Sequence, residues 1–447
     1  MRRSSLFGHV AELLDLIVPS RQPADQIVKD FFRRRHYLGS RDRRFISDHL
    51  YGILRHHTYL NVLCQRALAD IGGNLRLKKS PAIGLCAAYT LHIAGEDQSS
   101  LESNIAGIWR TATFDISPSD FLTALKNAVI PKDLLSDPAS RISVLHSVPE
   151  PVVEEWLDRF GIQEGEELCR ASNVPAPTTL RVNTLRGSVE DCQEALAREQ
   201  IEARRTRFSP HGLVLVKRVN VQSLRAFKEG LFELQDEGSQ LISLLMGVKA
   251  GDRVVDACAG AGGKTLHLAA LMQNSGALLA MDTSDDRLTR LRARVARAGA
   301  TMVKAIVIGD RQSLPAEWFE SADSVLVDAP CSGVGTFRRN PGAKLQFSAS
   351  VLPSINKTQA EVLDRSAMLV GPGGRLVYST CTLLRSENEE IVERFLAHHP
   401  QFSLLSAPDI LRSANVSLDD GGSYLLLMPH RHGTDGFFAA VMRRSAD

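Results

Sequence analysis

The segment Val254-Val-Asp-Ala-Cys-Ala-Gly-Ala-Gly-Gly-Lys264 constrains the fold most, because it reads as a buried strand, a glycine turn and a helix start. From about residue 236 the same rhythm repeats. Arg253–Ala257, Ala277–Met281, Lys304–Ile308, Ser324–Val327 and Arg375–Ser379 read as strands. Lys264–Met272, Asp285–Ala298, Lys357–Leu369 and Glu387–Ala397 read as helices, and Ser423–Met428 with Phe437–Met442 as a closing antiparallel pair. Apolar strands alternating with helices predict a doubly wound α/β sheet with its ligands at the strands' carboxyl ends.

Upstream the pattern differs. Apolar residues recur at helical spacing in Val10–Ile17, Phe45–Leu54 and Tyr59–Ala69, so residues 1–140 are expected to be all-helical. Residues 145–235 mix periods: Pro151–Phe160, Gly165–Ser172 and Val189–Glu199 read as helices, Thr179–Asn183 and Gly212–Lys217 as strands. This predicts a small α+β module, followed by the α/β domain at 236–447. A length of 447 residues is in keeping with two or three domains.

With 44% hydrophobic and 23% charged residues the composition is that of a globular protein, and a net charge of +2 favours no class of partner by itself. The seven cysteines (Cys64, Cys86, Cys169, Cys192, Cys258, Cys331 and Cys381) form no CxxC pair, so neither a metal site nor a disulfide framework is expected. Met1–Val10 lacks the apolar core of a signal peptide, and no run of about 18 apolar residues suggests a membrane helix. The expectation is a cytoplasmic monomer with reduced thiols, any of which is free to act as a nucleophile.

The glycine turn alone is a weak signal. Walker A would need glycine at Cys258, and a dinucleotide fingerprint from Gly260 would need glycine at Thr265. The next two strands strengthen it. Asp282 ends the second strand, where a carboxylate suits ribose hydroxyls, and Asp310 comes just after the third, where one suits a nucleobase amino group. Either aspartate alone also fits a helix cap or a solvated loop. In register with the glycines, they describe an adenosyl-binding sheet.

Asp328-Ala-Pro-Cys331-Ser-Gly333 closes the fourth strand and Tyr378-Ser-Thr-Cys381-Thr382 a later one, so both cysteines open on the ligand rim. A lone buried cysteine is usually packing; two on one rim, one beside Asp-Ala-Pro, suggest chemistry. C5 of a pyrimidine is a poor nucleophile. A thiolate added at C6 makes C5 enamine-like and able to attack a methylsulfonium, after which a base removes the C5 proton and the enzyme leaves. Methylation at nitrogen commonly uses Asn/Asp-Pro-Pro-Tyr/Phe, where this chain has Asp-Ala-Pro-Cys.

Those residues resemble the Sun/RsmB branch of the RNA cytosine-5 methyltransferases over most of the chain. Leu180–Leu185 and Phe232–Gln240 are similar to segments before the catalytic domain; Asp256–Lys264, Asp328–Pro341, Gly373–Cys381 with Ser386-Glu-Asn388, and Asp435–Phe438 are similar within it. The resemblance implies Cys381 as nucleophile and Cys331 as an aid to product release. It also implies an S-adenosyl-L-methionine site lined by Cys258, Ala259, Gly260, Ala261, Gly262, Gly263, Lys264, Asp282, Asp310 and Asp328. One departure stands out: Ala259-Gly260-Ala261 replaces Ala-Ala-Pro, which removes a fixed φ and loosens the turn.

Around Arg41–Phe45 and Tyr51–Arg55 the helical domain resembles a NusB-like RNA-binding module. Arg33, Arg34, Arg35, Arg41, Arg43, Arg44 and Arg55 would then face phosphates, as would Arg204, Arg205 and Arg207 of the module and Arg338–Pro341 beyond Cys331. A solvated, ion-paired helix face is the alternative for the first group. The arginines of 287–297 are expected only to solvate their helix. The expected substrate is an unpaired or flipped cytidine of small-subunit ribosomal RNA. Transfer RNA, or a non-catalytic assembly factor on the same fold, are the alternatives.

Overall fold

The computed structural model describes residues 1–72, 82–109, 116–309, 314, 316–418 and 422–446. Asp310 lies outside the described residues. The chain forms two compact units, Met1–Pro175 with Thr336–Ala349, and Ala176–Gly335 with Ser350–Asp447.

The first unit is helical throughout. Arg3–Ile17 shows why: Leu6, Phe7, Val10, Leu13, Leu14 and Ile17 recur every three or four residues and form one buried stripe. It packs into a core with Ile46, Ile53, Leu60 and Phe121. Ser117 and Asp137 cap the helices Pro118–Asn127 and Pro138–His146, each with proline at the first turn. Glu150–Phe160 and Ile162–Ala171, read from sequence as part of the middle module, pack in this unit.

So does Thr336–Ala349, which lies downstream of Cys331 in the chain. The buried Lys344 donates to the carbonyls of Arg55 and His146, both at 3.3 Å, and to Asn173 Oδ1 at 2.5 Å. Burial pushes its amine down to about 7. Arg55 donates to the Arg338 carbonyl at 3.2 Å. Arg55 and Arg338 are thus interior residues, 8% and 6% exposed, and not the phosphate-facing ones that their charge suggested. Arg33, Arg34, Arg41 and Arg44 are exposed.

The second unit holds two sheets. Strands β1 (Thr179–Val182), β2 (Ala203–Arg205), β3 (Gly212–Leu215) and β4 (Phe232–Leu234) form an antiparallel sheet in the order β2-β3-β1-β4. Its helix Val189–Arg198 is closed by a Ser188–Asp191 capping box. β2 and β4, of three residues each, escaped the sequence reading.

The larger sheet contains β5 (Arg253–Asp256), β6 (Ala277–Asp282), β7 (Val303–Val307), β8 (Ala322–Asp328), β9 (Val370–Thr380), β10 (Phe402–Leu405), β11 (Leu425–Leu427) and β12 (Phe437–Arg444). Its order is β10-β12-β9-β8-β5-β6-β7, with β11 also on β12. β7, β6, β5, β8 and β9 are parallel, and β12 enters antiparallel beside β9. Alternate residues feed two cores: Val255, Leu279, Val325 and Tyr378 face one side, Val254, Leu278, Leu326 and Val377 the other. This is a Rossmann-like α/β domain. Its strand order reverses between β5 and β8, which opens a crevice at their carboxyl ends.

Candidate active site

The crevice is built on the loop after β5. Ala259 N–H donates to the Met281 carbonyl and Gly262 N–H to the Ala259 carbonyl, both at 2.8 Å. Gly260 and Gly262 adopt φ of +55° and +87°, values that side chains disfavour. Glycine at 260 is therefore what this turn requires, so the departure from Ala-Ala-Pro comes with a defined conformation. Cys258 is half-buried, and burial raises its thiol pKa.

Asp282, at the end of β6, accepts from Gly260 N–H at 2.9 Å and from Ser284 N–H at 2.8 Å. Neither sequence alternative for it holds: it is 6% exposed, and Ser284 caps the helix Asp285–Ala298. The carboxylate ties the glycine loop to the second strand, and each oxygen keeps a lone pair for a further donor.

Two more acids line the floor. Asp256, on β5, accepts from Thr265 Oγ1 at 2.7 Å. Burial, with the nearby Asp328 charge adding, pushes its carboxyl up to about 6, against the Thr265 hydrogen bond and Lys264. Asp328, closing β8, accepts from Lys264 Nζ at 2.7 Å and from Ser379 Oγ at 3.0 Å. Burial works against the Lys264 ammonium, but the pairing with Asp328 more than compensates and raises the pKa of Lys264; Cys381 and Asp256 also lie within electrostatic reach of the ammonium.

The two cysteine loops converge. Cys331 Sγ and Cys381 Sγ are 3.4 Å apart and both residues are half-buried. The hydrogen bond shared with Cys381, then burial, raises the Cys331 pKa well above the ordinary thiol range. Gly335 N–H donates to the Cys381 carbonyl at 3.1 Å, and Gly436 N–H to the Gly335 carbonyl at 2.8 Å. A Cβ on Gly335 would lie 2.3 Å from the Gly436 oxygen, so only glycine admits this contact.

Sequence reasoning missed the residue that holds the Cys331 loop. Glu387 is fully buried; its Oε1 accepts from Ser332 N–H at 2.8 Å and Gln359 Nε2 at 3.0 Å, and its Oε2 from Ser332 Oγ at 2.5 Å. Next to it, buried Asn388 accepts from Thr380 Oγ1 at 2.6 Å and donates to the Thr382 carbonyl at 3.1 Å, bracketing Cys381. The signal was the Ser386-Glu-Asn388 motif, whose partners spacing does not reveal.

Within 287–297, Arg287, Arg290 and Arg292 are exposed as expected, but Arg294 and Arg297 are not. Arg294 donates to the Ala261 carbonyl at 2.7 Å, and Arg294 and Arg297 both pair with the buried Glu233. In the antiparallel module Arg204 and Arg205 pair with Glu202 and Glu190, and Arg207 lies over Phe208. Among the described residues no group of acids, histidines and cysteines is arranged to hold a metal ion, and no helix is long and apolar enough to cross a membrane.

Known proteins are similar to this chain in sequence and in fold. The family model described as 16S rRNA methyltransferase RsmB/F matches residues 243–443, and one for an RsmF/B-like ferredoxin-like domain matches 148–222. A probable ribosomal RNA small subunit methyltransferase B of Bacillus subtilis is 34% identical over 318 residues, 70% of each chain. Its namesake in Synechocystis is 29% identical over 96% of this chain and its own whole length. The crystal structure of PH0851 matches with a TM-score of 0.79 at 26% identity, covering 99% of both chains. With 34% identity to the Bacillus subtilis protein over 70% of each chain, joined to a Rossmann-like sheet carrying both cysteine loops on one rim, the chain belongs to the RsmB/F family of 16S rRNA methyltransferases.

Proposed function

We propose that the protein methylates C5 of a cytidine in small-subunit ribosomal RNA, with Cys381 adding covalently to C6 and Cys331 assisting release. The observation that carries this reading is the 3.4 Å approach of the two sulfurs beside the Lys264–Asp328 pair. RNA binding alone needs neither thiol.

The methyl donor is S-adenosyl-L-methionine. The loop fits it: a Cβ built on Gly260 or Gly263 meets no atom within 4 Å, so the glycines border open space where a ligand can approach the backbone. Residues 258–264, Asp282 and Asp328 would hold the donor, and Asp310 is proposed with them. The donor supplies an electrophilic methyl group to C5.

Every other step belongs to the chain. The Cys381 thiolate forms a bond to C6, and the C5–C6 π pair moves onto C5, conjugated with C4 and N3, which makes C5 nucleophilic. After C5 has gained its methyl group, a base takes the C5 proton. The pair left behind re-forms the double bond and expels Cys381 as thiolate. Cys331, in contact with the leaving sulfur, is placed to act at that departure. Lys264, kept charged by Asp328, orients the base. The exposed Arg33, Arg34, Arg41 and Arg44 give the NusB-like helical unit a phosphate-binding surface.

Bisulfite sequencing of ribosomal and transfer RNA, from cells with and without the gene, tests the reading. One small-subunit cytosine losing protection supports it. Loss in a transfer RNA keeps the chemistry and overturns the substrate. No change anywhere, with RNA binding intact, points to a non-catalytic assembly factor.

A further inference from the structure

The cofactor loop is held from three sides. Asp282 fixes Gly260, and the Ala259 carbonyl fixes Gly262. The third hold comes from outside the loop and its neighbouring strand: Arg294 Nη1 donates to the Ala261 carbonyl at 2.7 Å. Arg294 sits on the helix Asp285–Ala298 with its side chain only 22% exposed.

Its guanidinium is itself gripped. Nε and Nη2 donate to Glu233 Oε2 at 3.2 and 3.0 Å, while Arg297 Nη2 donates to Glu233 Oε1 at 2.5 Å. Glu233 belongs to β4 of the antiparallel module, and its side chain is 4% exposed. A fork held at three nitrogens has one orientation, which a flexible amine would not provide. Asn183 Nδ2 adds a second link from module to helix, donating to the Ala298 carbonyl at 2.9 Å.

We propose that Arg294 is a positioning residue for the methyl donor, and that Glu233 makes donor affinity depend on the docked α+β module. This rests on the donor lying against residues 258–264. Arg294 orients the Ala261–Gly262 peptide, and Glu233 keeps Arg294 from turning to solvent. The module therefore serves the cofactor site whatever it does for RNA.

The experiment is calorimetric titration of S-adenosylhomocysteine into the full-length protein, with steady-state kinetics in both substrates. For Arg294→Met the donor Kd and donor KM should rise about 10-fold or more, with kcat at saturating donor and the RNA KM unchanged. Arg294→Lys should not restore affinity. Glu233→Gln, a gentler change, should weaken donor binding about threefold, and the double variant should be no worse than Arg294→Met alone. A folded Arg294→Met or Glu233→Gln protein with wild-type donor affinity overturns the proposal, as does a loss confined to kcat. If the wild-type protein itself binds no donor, the placement of the cofactor fails first.

Discussion

Cys331 Sγ and Cys381 Sγ lie 3.4 Å apart although 50 residues separate them in the chain. The contact exists because β8 and β9 are parallel neighbours, with Asp328 opposite Ser379, so the loops after them leave the sheet side by side. The proposed division into nucleophile and helper rests on this contact.

Removing the proposed nucleophile should stop turnover without disturbing the donor site. Cys381→Ala should lower methyl transfer at least about 1,000-fold while donor Kd stays within about twofold. Transfer of labelled methyl groups to RNA and calorimetry read the two separately; retained transfer would overturn the assignment of Cys381.

Glu387 should matter for release. Glutamine keeps its volume but turns one acceptor into a donor facing Ser332 or Gln359. Glu387→Gln should cost roughly 1–3 kcal/mol of stability. The Cys331 loop should then drift, so that covalent RNA adducts persist longer than in the wild type. Wild-type decay of the adduct would remove Glu387 from that role.

Asp328→Asn should be worse than losing the whole pair. The Lys264 side chain is 10% exposed, and without its partner a buried ammonium is left uncompensated, at a cost of about 3 kcal/mol. Lys264→Met with Asp328→Asn should recover much of that stability in denaturant melts, though not activity. Equal stability of the single and double variants would contradict the pairing.

Asp256 sets a pH dependence. Its folded carboxyl is pushed up to about 6 from 3.8, first by burial and then by Asp328. Between these values the native state binds more protons than the unfolded chain, so stability falls as pH rises from about 4 to about 6, by up to about 3 kcal/mol. Asp256→Asn removes this slope. Its stability relative to wild type should climb across that window and stay level above it. A difference independent of pH from 4.5 to 7.5 would contradict the raised value.

The α/β domain was legible because its parallel strands are apolar on both faces and end on acids and cysteines. Asp256, Asp282, Asp328, Cys331 and Cys381 all sit at strand ends or in the adjoining loops. The hidden features depend on tertiary contact. Arg55 and Arg338 look like surface charges until the packing of Thr336–Ala349 with the helical unit buries them. Arg294 reads as an ordinary helical polar residue and Glu387 as a motif residue without a visible partner, because their partners Glu233 and Ser332 lie 61 and 55 residues away. β10, four residues at the sheet edge, carries too short a pattern to read.

The most direct test of covalent catalysis is the Cys331→Ala protein incubated with RNA and methyl donor, then run on a denaturing gel. A slow-migrating, RNase-sensitive band is expected, because addition proceeds and elimination stalls; the band should vanish when Cys381→Ala is added. No band, or a band that survives loss of Cys381, would contradict covalent catalysis by this pair.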